Sequence, residues 1–131
     1  MTKKDKGESR QTTHLNVQEP WFSKIKQGRK TIEGRLCSEK IASIRKGDFL
    51  TIGLSQTNSD NEKNNLVNLV RAVVKDVVKY PSFDKYLSQE GLKATLPGVQ
   101  TIQEGVNIYR KFYPEDKEKK LGICAIHLLL I

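Results

Sequence analysis

Long apolar runs are missing from this chain. No stretch approaches the roughly 20 residues that a membrane helix requires, and no apolar segment follows the charged N-terminus as a secretory signal would demand. An intracellular protein of the cytoplasm or nucleus, with no membrane partner, is therefore expected. Cysteine is scarce. Cys37 and Cys124 form no C-x-x-C pair, and neither His14 nor His127 stands at ligand spacing from them. No metal site and no cofactor are expected, and both cysteines read as buried reduced thiols. No Gly-rich phosphate loop follows any candidate strand, which disfavours a doubly wound βαβ sheet. No internal repeat is evident.

What the chain does hold is positive charge. Its 131 residues carry a formal charge of +8, with a pI near 9.5, a balance that favours polyanionic partners, nucleic acid above all. Residues 11–50 hold eight Lys or Arg against four Asp or Glu. A hydrophobic content of 37% and a charged content of 29% suit one globular domain with its own core. Residues 1–13 lack periodicity and read as a disordered basic arm. Residues 14–131 read as the single folded domain.

Within that domain, residues 14–17 alternate as a strand. Pro20 suits the first turn of a helix whose apolar face is Trp21, Phe22 and Ile25, and Gly28 closes it. After Lys46-Gly47-Asp48, a turn, residues 49–54 alternate as a strand. Residues 55–65 hold no apolar side chain and read as a long exposed loop. Residues 66–80 are valine-rich with imperfect alternation, which suggests one long, bent or bulged strand. Residues 83–89 form a helix with Phe83, Tyr86 and Leu87 inward, stopped by Gly91, and Leu96-Pro97-Gly98 is a turn. Thr101 and Glu104 form a capping box opening a helix that ends before Pro114. Residues 115–120 read as a charged loop. Residues 122–131 are apolar enough for a strand buried on both faces. The sum is an α+β fold on a small β-barrel, with roughly five to six strands and about three short helices.

The stretch that carries chemistry is Gly28-Arg29-Lys30-Thr31-Ile32-Glu33-Gly34-Arg35. In an extended strand, Thr31, Glu33 and Arg35 share one face, while Ile32 and Leu36 share the other. Lys30, in the turn before the strand, can then meet Glu33. The alternative is a solvated strand edge with ordinary surface charges. Lys30, Arg35, Arg45 and Lys46 are candidates for phosphate, Glu33 for a base amino group, and Thr31, on the same face, for a further contact to that ligand. Trp21 and Tyr109 are candidates for stacking on a splayed base, each with a core-packing alternative.

These residues resemble the activating-signal-cointegrator homology (ASCH) domain of the PUA-like superfamily. Gly28, Lys30, Glu33 and Arg35 match its G-x-K-x-x-E-x-R signature. Glu19-Pro20-Trp21-Phe22, Lys46-Gly47-Asp48, Leu96-Pro97-Gly98 and the segments 109–114 and 122–128 extend the likeness over the folded part. The resemblance implies a PUA-type barrel with a cleft beside the signature, and RNA or a modified nucleotide as ligand. It also implies a second possibility, because ASCH-like amidohydrolases deacetylate N4-acetylcytidine with a lysine, a threonine and a glutamate. Lys30 falls on that lysine, Glu33 occupies the threonine position, and Glu90 is the candidate for the glutamate. Thr31 is adjacent but not equivalent. RNA binding is the function taken forward, with hydrolysis through Lys30, Glu33 and Glu90 second and a protein-interaction module third. A monomer is expected, and a protein partner remains compatible.

Overall fold

A computed structural model describes residues 10–55 and 68–131. The first nine residues of the expected arm, and nearly all of the expected loop 55–65, lie outside the described residues. The fold is α+β: five strands in the order β1-β3-β4-β5-β2 form one curled sheet, a half-barrel. β1 (Thr12–Val17) runs parallel to β3 (Phe49–Leu54). β4 (Leu69–Tyr80), β5 (Ile123–Leu130) and β2 (Ile32–Leu36) continue antiparallel. Six helices complete the described residues: α1 (Trp21–Lys26), α2 (Glu39–Ala42), α3 (Phe83–Glu90), α4 (Leu92–Thr95), α5 (Ile102–Arg110) and α6 (Glu115–Leu121).

Two apolar cores lie on the two faces of the sheet. Inside the curl, Leu15, Val17, Leu50, Ile52, Val70, Ala72, Val74, Cys124 and Ile126 meet Phe22, Ile25, Ile41 and Ile44. On the opposite face, Ile32, Ile123 and Ala125 pack against Phe83, Tyr86, Leu87, Leu96, Val106 and Tyr109. Trp21 touches both. The imperfect valine alternation of β4 has a cause in its register, which shifts between Val74 and Asp76. Before the bulge Val70, Ala72 and Val74 face the inner core; after it Val77 does, and Val78 and Tyr80 join the outer one. One extra residue inverts the side-chain phase.

Several expectations need correction. β1 begins at Thr12, two residues before the expected strand start, because Phe49 N–H donates to the Gln11 carbonyl and extends the pairing with β3. Residues 115–120 are helical, not loop. Pro114 fixes the entry, Glu115 and Asp116 lie in the first turn, and Lys119 and Lys120 lie in the last, the polarity a helix dipole favours. The cysteines are not free thiols: Cys37 and Cys124 form a disulfide, with Cα atoms 5.4 Å apart. The pairing of β2 with β5 sets Arg35 opposite Cys124 and so delivers Cys37, two residues on, to its partner. β5 is buried on both faces only at its start. Leu129 and Leu130 are 53% and 37% exposed.

Candidate functional site

The curl brings the two edge strands, β1 and β2, toward each other without pairing them. Arg35 spans the gap, its Nη2 donating to the Asn16 carbonyl at 2.7 Å. A cavity of about 190 Å³ opens beside this bridge. Its walls include Trp21, Tyr109, Phe112 and Tyr113, with Lys30, Glu33 and Arg35 supplying charge.

Each charged side chain arrives for a local reason. Gly28, with φ +80°, turns the chain out of α1, and Lys30 N–H closes the turn onto the Lys24 carbonyl. Across the ladder Glu33 opposes Ile126 and Arg35 opposes Cys124, both residues of the inner core. Opposed residues share a face, so Glu33 and Arg35 point into the curl. Gly34 points the other way, and a Cβ there would stand 2.6 Å from the Tyr86 hydroxyl. Glycine at this position lets Tyr86 lie against β2.

The ion network is compact. Lys30 Nζ donates to the Ile32 carbonyl at 2.7 Å and the Thr95 carbonyl at 2.6 Å. It also lies 3.3 Å from Glu33 Oε1. Its three donors are therefore engaged, and its side chain is 1% exposed. Arg35 Nε donates to Glu33 Oε2 at 2.7 Å, with 19% of the arginine side chain exposed. Burial alone would raise the Glu33 carboxyl, but the Lys30 ammonium and the Arg35 guanidinium outweigh it and hold the pKa below the usual value. Burial lowers that of Lys30, with Glu33 opposing. Tyr109 bonds Tyr86 hydroxyl to hydroxyl at 3.1 Å. Burial, followed by the Glu33 charge, raises the Tyr109 hydroxyl. At neutral pH the site thus presents an ionised carboxylate held by Lys30 and Arg35, beside neutral phenols.

The structure gathers Trp21, Lys30, Glu33, Arg35 and Tyr109 around one cavity. It does not bring the other candidates there. Thr31 is exposed and lines a different concavity, together with Glu90. Glu90 Oε2 accepts from the Tyr80 hydroxyl at 2.7 Å and lies 3.1 Å from His127 Nε2. Arg45 and Lys46 are exposed in the turn before β3. The cavity instead meets the other end of that strand, at Ser55, and the five steps from Phe49 to Leu54 alone span about 17 Å. Sequence reasoning missed Asn16, Gln18, Ser55, Phe112 and Tyr113 as lining residues. The Phe112-Tyr113 pair at the end of a capped helix was the available signal, since Phe112 is 52% exposed. The three polar residues gave none. Among the described residues no group of three His, Cys, Asp or Glu could hold a metal ion, and no helix is long and apolar enough to cross a membrane.

The family model of the ASCH domain matches residues 15–131. Among solved structures, the hypothetical protein PH0355 is similar at 38% identity and a TM-score of 0.77, over 92% of this chain and 99% of that one. Protein PF0455 from Pyrococcus furiosus is 37% identical with a TM-score of 0.69, over 92% and 97% of the two chains. ZmASCH from Zymomonas mobilis shares the fold at 16% identity, with a TM-score of 0.59 over 92% of this chain and 68% of that one. No curated protein matches the sequence.

Proposed function

The chain belongs to the ASCH domain family, and on that premise we propose that it binds single-stranded RNA and seats one unpaired base in the Glu33 cavity. The observation that carries this reading is the buried Glu33 carboxylate, clamped by Lys30 and Arg35 at the wall of an aromatic-lined cavity. A carboxylate offers about four lone-pair sites, and its two cations occupy one on each oxygen. The remainder can accept from a base amino group such as cytosine N4, while Arg35 donates to a neighbouring ring acceptor. A volume of about 190 Å³ lies below the 300–1,000 Å³ or so of drug-sized pockets and suits a single base. Trp21, Tyr109 and Phe112 provide the flat apolar surfaces on which unstacked bases settle.

Hydrolysis draws less support. The Lys30 ammonium is fully bonded within the protein, and Glu90 lines another concavity. Arg45 and Lys46, if they meet phosphate, do so away from this cavity.

Trp21 is the only tryptophan, so its emission reports on the site. Titration with single-stranded RNA is expected to quench it saturably. Phe112→Ala is expected to weaken RNA binding by the worth of one stacked base, about 1–3 kcal/mol, and to leave the fold intact because the ring is exposed. Unchanged affinity in both Phe112→Ala and a folded Arg35→Ala protein would sink the proposal.

A further inference from the structure

A second concavity, of about 840 Å³, lies beside the first and has been given no role so far. Alternate residues of two adjacent segments divide between the two. Lys30 and Leu96 line the first, while Arg29, Thr31, Ala94 and Pro97 line the second. The wall between them is tied together by Thr31 N–H to the Ala94 carbonyl and by Lys30 Nζ to the Thr95 carbonyl.

The second concavity is cationic. Arg29 and Lys93 line it, both exposed. Lys24 Nζ reaches Gly98 on its rim, 3.7 Å from where a Cβ would stand. Among the described residues no ion pair joins Lys24, Arg29 or Lys93 to an acid. The acid in the lining is Glu90, and its Oε2 is engaged by Tyr80 and His127. Three of the carbonyls at the end of α1, which would repel an anion, are already paired. Ser23, Lys24 and Ile25 carbonyls accept from the N–H groups of Gln27, Arg29 and Lys30, and Gly28.

Solvated surface cations would show the same exposure, but their placement is specific. Trp21 and Lys24, three apart, share a face of α1. Trp21 stands at the first cavity and Lys24 at the second. From Trp21 to Gly28 the chain of α1 and its turn rises about 10 Å, so one short strand can touch both cavities. We propose that the second concavity is a phosphate subsite, in which Arg29 and Lys93, with Lys24 at the rim, bind the backbone phosphates flanking the base seated beside Glu33. Arg29 can grip a phosphate bidentately, and the lysines act as point charges. This inference rests on the base-binding reading of the first cavity.

The test follows a labelled single-stranded RNA dodecamer by fluorescence anisotropy across a salt series. Arg29→Ala/Lys93→Ala is expected to weaken binding about tenfold at low salt. It should also flatten the logarithmic salt slope by about 0.7 for one phosphate, or about 1.4 for two. The exposed pair Lys119→Ala/Lys120→Ala removes equal charge elsewhere and should leave the slope in place; an equal effect there overturns the subsite as mere net charge. Wild-type affinity and slope in Arg29→Ala/Lys93→Ala also overturn it, and RNA quenching of Trp21 would then leave the base cavity standing. If the wild type binds no RNA, the base reading fails, and inorganic pyrophosphate decides the remainder. Shifts in the Gly28, Arg29 and Gly98 amide resonances that vanish in Arg29→Ala/Lys93→Ala keep a phosphate site. Their absence in the wild type ends it.

Discussion

Lys30 stands three residues before Glu33, a spacing that allows it either a phosphate or a carboxylate as partner. Its burial decides between them. With Ile32, Thr95 and Glu33 taking its three donors, Lys30 serves to fix the carboxylate, and Arg35 is the cation that remains partly open to solvent. Removing one member of such a buried set leaves the others uncompensated. Glu33→Gln is therefore expected to lower unfolding free energy by about 3–5 kcal/mol in urea denaturation. The pH dependence carries a sign. The folded pKa of Glu33 lies below the ordinary glutamate value, so its contribution is present above that ordinary value and is lost as pH falls through the lower folded one. Stability measured from pH 5 downward should decline less steeply in Glu33→Gln than in the wild type. Equal slopes would place the carboxylate outside the network.

At the scale of elements, α6 shows how a charged segment becomes structure. Glu118, 4% exposed, accepts from the Phe83 N–H at 2.7 Å and pairs with Arg110. The Phe83 N–H is one of the donors left unpaired at the start of α3, where Ser82 already caps Lys85 N–H. One carboxylate thus joins α6, α5 and the N-terminus of α3. Glu118→Ala should cost about 3 kcal/mol, because it leaves a buried N–H without its acceptor and the Arg110 guanidinium without its carboxylate. Glu118→Gln keeps an acceptor and should recover part of that loss. Urea midpoints of the two variants, with hydrogen exchange at Phe83, measure both effects. Nothing in the residues 115–120 themselves announces this role. All six are charged, which marks none of them as buried, and the partners lie eight and 35 residues away.

At the scale of the molecule, the disulfide closes a loop over a sequence separation of 87 residues. A loop of that length implies about 4.6 kcal/mol of stabilisation by restriction of the unfolded chain. Oxidised protein should show no free thiol when denatured, and reduction should lower its stability by about that amount; two titratable thiols in the untreated protein would contradict the bond. The sequence by itself determined what depends on near neighbours: the alternation of β1 and β3, the stop at Gly91, the Thr101 capping box, and the α+β class. It also brought Lys30, Glu33 and Arg35 under notice, because strand periodicity needs no tertiary information. Only the tertiary structure decided the rest. The bond between Cys37 and Cys124 depends on the register of β2 against β5, and the exclusion of Glu90, Arg45 and Lys46 from the Glu33 cavity depends on where each segment lands on the curl. Residues far apart in sequence meet only once the sheet has chosen its order and its bend, and local spacing contains neither.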